Sequence, residues 1–171
     1  MHLLHAIPVI SAALVLCSGF TSADDSDARP FSLSFYTVNK EKVEGWKYID
    51  LPKFPKLGYI APTPDLIINQ LKAVEPYKAQ SILITTDANG QKQTKLKEGP
   101  GFKITLLEED AERFTTLSNL ALNHQVLVML GETPLIAPMM RGPITSPQFT
   151  LDMIDAGGEK KIERALMKLV K

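Results

Sequence analysis

Residues 125–140 read Gln-Val-Leu-Val-Met-Leu-Gly-Glu-Thr-Pro-Leu-Ile-Ala-Pro-Met-Met, and their pattern sets the fold. The unbroken apolar run at 125–130 suits a central strand covered on both faces, because a strand with one wet face would alternate. Gly131 to Pro134 turns the chain, and 135–140 returns beside it. Working outward, residues 102–107 form a strand candidate, and Glu108, Glu109, Asp110 and Glu112 open a helix whose early negative charges complement the positive end of its dipole. Ala111, Phe114, Leu117 and Ala121 mark its buried face. Leu107 stands where a polar N-cap would be favoured. Downstream, a strand at about 148–153 precedes Gly157-Gly158, and Ile162, Ala165, Leu166 and Leu169 recur at i, i+3, i+4, i+7 on a last helix. The predicted unit over 102–171 is β-α-β-β-β-α, an α+β fold with helices on one face of a mostly antiparallel sheet.

The preceding half, 24–101, reads as smaller, strand-rich and crowded with proline and aromatic residues. Residues 31–38 nearly alternate, as a half-buried strand does. From 40 to 64, Trp46, Tyr48, Phe54 and Tyr59 are interleaved with Pro52, Pro55, Pro62, Pro64 and five lysines. That many prolines exclude a helix and deny donors to a central strand, so the segment is expected to run extended, on the surface or along a sheet edge. Two uses fit it: an aromatic contact surface for another chain, or rings that pin a long loop onto the core. Residues 65–74 suit a short helix, although Ile67-Ile68 would equally serve a strand. Residues 81–86 and 91–96 flank Asn89-Gly90, a hairpin signal, and 97–101, Lys-Glu-Gly-Pro-Gly, reads as a linker between halves.

The first 23 residues carry no Asp, Glu, Lys or Arg, and an apolar run from Leu3 to Leu16 ends in the small residues Thr21-Ser22-Ala23. This is the pattern of an export signal cleaved after Ala23, with an uncleaved anchor or lipidation at Cys17 as the other options. Each predicts a periplasmic or secreted protein. Beyond this segment no apolar stretch approaches the roughly 20 residues of a spanning helix, and 19 Lys+Arg against 19 Asp+Glu leave no net field for a nucleic-acid backbone.

Residues 126–151, VLVMLGETPLIAPMMRGPITSPQFTL, resemble the head subdomain of the first periplasmic region of SecD, the membrane subunit that assists protein export. The likeness rests on the strand, turn and strand leading through Ala137-Pro138 to Pro143-Ile144-Thr145, and it extends over about 102–171. It implies the same fold and a non-enzymatic role in contact with translocated polypeptide or an envelope partner. SecD continues from its head into membrane helices that use the proton gradient; residues up to Lys171 hold no such segment and no intramembrane carboxylate, so the motor role is not expected.

Reactive groups are few. After Ala23 no cysteine remains and His124 is the lone histidine, which leaves no thiol chemistry and no Cys/His metal cluster. His124 falls at a helix end, six residues from Ser118, so on a continuous helix the two would point apart. The acidic helix start lacks the alternating spacing of a cation loop, and Gly99-Pro100-Gly101 lacks the Lys-Ser/Thr of a phosphate loop. The expected protein is therefore a binding module without cofactor or metal. Its candidate contacts are Trp46, Tyr48, Phe54 and Tyr59 in the first half and Pro138, Met139, Met140 and Pro143 in the second, where the methionines offer adaptable apolar side chains. The competing readings are an envelope assembly protein reusing the fold and a hydrolase built on His124 or the acidic helix start.

Overall fold

The structure is a computed structural model that describes residues 31–86, 89–153 and 158–171. The segment read as a signal, Cys17 included, lies outside the described residues. The architecture is α+β, with nine strands paired antiparallel into two sheets and two helices among the described residues.

The first sheet runs in the order β2 (Lys47–Leu51), β3 (Phe54–Ile60), β1 (Leu33–Asn39), β7 (Gln125–Leu130), β8 (Thr133–Ile136). β1 and β7 pair from Leu33↔Leu130 to Val38↔Gln125. The pleat then gives this pair two apolar faces. Leu33, Phe35, Val126, Val128 and Leu130 belong to the main core, and Val38 and Leu127 belong to a second cluster with Ile49, Leu57 and Ile60 of the β2–β3 hairpin. The expectation drawn from the run at 125–130 holds, since Val126, Leu127 and Val128 are all buried.

The far edge of β1 is shared. β3 takes Val38 and Asn39, and β4 (Leu66–Ile68) takes Leu33 to Phe35. Pro62 and Pro64 have no N–H to give the gap between them. Asp65 fills it: its N–H donates to the Phe35 carbonyl (2.9 Å), and its carboxylate accepts the Thr37 N–H (2.6 Å). The helix expected at 65–74 is therefore replaced by strand. Leu66 and Ile68 are buried while Ile67 is exposed, a two-residue period that a helix cannot produce.

The second sheet is β5 (Leu71–Thr86), β6 (Lys92–Leu106) and β9 (Gln148–Asp152). The hairpin expected around Asn89-Gly90 is present but far longer, with pairing unbroken from Ala73↔Thr105 to Thr86↔Lys92. Residues 97–101 lie inside β6, so the linker reading is wrong. Gly99 and Gly101 mimic a linker in sequence yet sit opposite Ala79 and Tyr77, where the Tyr77 ring lies over the bare Gly101 backbone. The segment 40–64 runs extended at the edge of the sheet, as expected, and does so as the β2–β3 hairpin, with Pro55 at the start of β3, away from Tyr59 and Ile60 that pair with β1.

Helix α1 (Glu108–Leu120) and the final helix α2 (Glu159–Met167) pack on the main core through Phe114, Leu117 and Ala121, and through Ile162, Ala165 and Leu166. Leu107 makes no side-chain cap bond, and the acidic first turn supplies the favourable charge instead. Asp110 is buried and held by Arg113 at 2.9 Å. After α2 the chain returns to the second sheet, where Leu71 donates to Leu169 (2.7 Å) and Lys171 donates to Leu71 (3.1 Å).

Candidate binding groove

β8 ends the first sheet and β9 ends the second, and both edges border one groove. Its volume is about 750 Å³, within the range of ligand-holding clefts. Three rings from three elements form the inner wall. Phe35 of β1 lies 5.3 Å from Phe114 of α1 and 6.0 Å from Phe149 of β9, and Phe114 lies 5.0 Å from Phe149. These centroid separations favour tilted aromatic contacts, which tie sheet, helix and second sheet together at the groove.

Each edge has its own chemistry. Pro147 accepts from Leu106 and Met153 donates to Pro100. Alternation along an antiparallel ladder then commits the amides of residues 149 and 151 to β6 and turns those of Gln148, Thr150 and Asp152 outward, on residues that line the groove; the Gln148 N–H is taken by Ser146 Oγ at 3.1 Å. On the other edge, Lys53 from the β2–β3 turn donates to the Leu135 carbonyl at 2.6 Å and stands 5.4 Å from the Phe54 ring centre. A lysine on an edge carbonyl is a common guard against unwanted pairing.

The wall between the edges is residues 137–147, fixed by unusual bonding to α1. Ser118 is fully buried; its Oγ donates to the Thr115 carbonyl and accepts the Ile144 N–H, both at 2.8 Å. Thr115 Oγ donates to the Ile144 carbonyl at 2.8 Å. Both polar groups of the Ile144 backbone are thus satisfied by one helix face, which lets a proline-rich loop lie against apolar surface. At the loop's start, Val126 donates to Pro138 and Met140 to His124, each at 2.9 Å.

Tyr77 crosses Gly101 and donates from its phenol to the Asp152 carboxylate at one end of the groove. Burial first, and then the bond to Asp152, hold that phenol above its ordinary value of 10.0, against a lowering by Thr150 and with a smaller raising by the Asp152 charge.

Of the residues expected from sequence, Phe54, Pro138, Met139 and Met140 line this groove, Met139 exposed and Met140 buried. Pro143 is exposed beside it, between the lining residues Gly142 and Ile144. Trp46, Tyr48 and Tyr59 lie elsewhere: Tyr48 and Tyr59 face each other across β2 and β3 with centroids 5.0 Å apart, and Trp46 is half-buried just before β2. Sequence reasoning missed Phe35, Phe114, Phe149 and Lys53 as groove residues. The first two look like ordinary core positions, and only the placing of β9 in a different sheet shows that Phe149 bridges the two layers. His124 is exposed and does not line the groove. Among the described residues no three His, Cys, Asp or Glu side chains gather as a metal site, and no helix is long and apolar enough to cross a membrane.

No family model and no curated protein matches the chain. Two of the solved structures similar to it are of SecDF. One is SecDF, a membrane component that enhances protein export, with TM-score 0.48 and 16% identity over 82% of this chain and 62% of that one. The other is SecDF in a super-membrane-facing form, with TM-score 0.45 and 16% identity over 82% of this chain and 18% of that one. The chain thus spans less than two-thirds of either, and at this identity the likeness concerns the course of the backbone, not the side chains of the groove.

Proposed function

We propose that this protein is an exported, non-enzymatic binding module that receives an extended apolar stretch of polypeptide in the groove between β8 and β9. The observation that carries the reading is an open apolar cleft of about 750 Å³ with a free strand edge along one side. An extended chain can bond to the outward amides of Thr150 and Asp152 as an added strand while its alternate side chains enter the aromatic wall. Met139 and Met140 adapt the rim to different side chains. The export context rests on the apolar, uncharged start of the sequence and on the likeness of residues 102–171 to the SecD head, which make a translocated polypeptide or an envelope protein the fitting partner.

The test is a fluorescently labelled peptide of alternating valine and threonine, titrated against the protein. Thr150→Pro deletes an outward N–H without touching the β6 ladder, and Met139→Asp places a charge on the apolar rim. Both are expected to weaken binding at least tenfold while His124→Ala leaves it unchanged. Equal affinity in all variants would remove the groove from the account.

A further inference from the structure

Beyond residue 101 the second sheet loses β9, and β5 and β6 continue alone as a two-stranded ribbon from Lys78↔Pro100 to Thr86↔Lys92. Directly opposed residues share a face, so Ile82, Ile84 and Leu96 form one apolar stripe on it. They are 66%, 63% and 55% exposed, among the most exposed large apolar side chains described. A ribbon without a third strand or a covering layer is marginal in water, and this one presents its best strand formers to solvent. Its charge is one-sided: Lys78 and Lys92 share the face of the stripe and Lys95 stands on the opposite face, against Glu98 as the acidic residue of the described ribbon, in a chain whose net charge is zero. Glu98 is engaged by Gln80 at 2.9 Å. A second copy laid on the stripe would bring two positive ribbons together, whereas an anionic surface with an apolar layer beneath it satisfies both features.

We infer that the distal β5–β6 ribbon docks on an anionic lipid surface, with Ile82, Ile84 and Leu96 entering the boundary between headgroups and acyl chains and Lys78 and Lys92, on the same face, meeting lipid phosphates. The inference is independent of the groove.

The test uses the full chain carrying Cys17→Ser, with an environment-sensitive dye on Thr94→Cys, in the apolar face, or on Thr85→Cys, in the opposite face. Vesicles of phosphatidylglycerol and phosphatidylcholine in equal parts are compared with phosphatidylcholine alone. A blue shift at position 94, absent at 85 and absent on the neutral vesicles, is expected. The dye reports immersion of the ribbon itself, so membrane attachment by the apolar start of the chain cannot imitate the result. Lys78→Glu with Lys92→Glu should cut the anionic partitioning by more than about tenfold. Ile82→Ser with Ile84→Ser and Leu96→Ser should abolish the immersion with an unchanged melting temperature, since none of the three is in the core. No shift at position 94, equal shifts at both positions, equal shifts on both vesicle types, or a shift that grows with protein concentration without lipid would each overturn the inference, the last by showing that a second copy covers the stripe.

Discussion

Replacing Ser118 by alanine tests how the groove wall is held. In the folded protein the Ser118 hydroxyl accepts the Ile144 N–H and donates to the Thr115 carbonyl. The carbonyl has a second donor in Asn119 Nδ2 at 3.0 Å, so it loses little. The Ile144 N–H, in a part-buried setting, has the Ser118 hydroxyl as its acceptor among the described residues. Leaving such a donor unsatisfied costs about 1–3 kcal/mol, and the shape change from serine to alanine adds little, so Ser118→Ala should destabilise by about 2 kcal/mol. For a chain of this size that lowers Tm by roughly 5–8 °C.

Thr115→Val, which removes the donor to the Ile144 carbonyl, should cost about 1 kcal/mol by itself. The two bonds hold the same residue, so the double variant should lose about 0.5–1 kcal/mol less than the sum, because the loop is already released once either bond is gone. Urea unfolding of the four proteins gives the cycle, and hydrogen exchange at the Ile144 amide reports the clasp directly. Exchange should speed in Ser118→Ala while amides of the β1–β7 ladder change only in step with global stability. A cost below about 0.5 kcal/mol with unchanged exchange at Ile144 would refute the clasp and, with it, the claim that α1 shapes the groove.

Phe149→Ala should lose about 2–3 kcal/mol by urea titration, less than for a fully buried ring because Phe149 is half-exposed, and should weaken peptide binding more than its stability cost explains. Gly58 has φ +132°, and a Cβ there would lie 2.4 Å from the Asn39 carbonyl oxygen, so Gly58→Ala should cost about 2 kcal/mol or more and disturb the β1–β3 junction first, as seen by amide exchange at Tyr59 and Ile60. Because the Tyr77 phenol is held above its ordinary value in the folded protein, the unfolded chain releases that proton first on alkaline titration. The contribution is complete below about pH 10 and declines as pH rises through the folded value, so Tyr77→Phe should flatten the alkaline loss of stability, and identical pH profiles would contradict the raised value that burial and the bond to Asp152 give the phenol.

The second half was legible because its signals are local and agree with one another. The apolar run at 125–130, the acidic start of α1 and the spacing of Ile162, Ala165, Leu166 and Leu169 each report a periodicity that burial then reproduces. The failures have one physical source, since what they concern is set by partners distant in sequence. Residues 65–74 carry both helical and strand spacing, and the open edge of β1 decides between them by offering hydrogen bonds that only an extended chain can use. Gly99-Pro100-Gly101 reads as a break until Tyr77 and β9 are alongside, where missing side chains make room for a ring. Phe54 and the 138–140 segment were expected as separate contact surfaces, and the curl of the β2–β3 hairpin across β7 is what brings them to one cleft.

That curl also explains why one edge of the groove is guarded and the other is not. If both β8 and β9 were free, an added strand could pair with either, or two copies could pair through both, and the groove would specify no register. Lys53 takes the Leu135 carbonyl, with its ammonium also near the Phe54 ring. β9 is then the edge that remains to accept a partner, with Asp152 at its end held by Tyr77. An added chain is therefore directed to β9 by a lysine that comes from the opposite sheet, so Lys53→Met should leave peptide affinity within about threefold while adding a concentration-dependent dimer through β8, measurable by sedimentation. A strictly monomeric Lys53→Met would show that the edge is protected by something other than this bond.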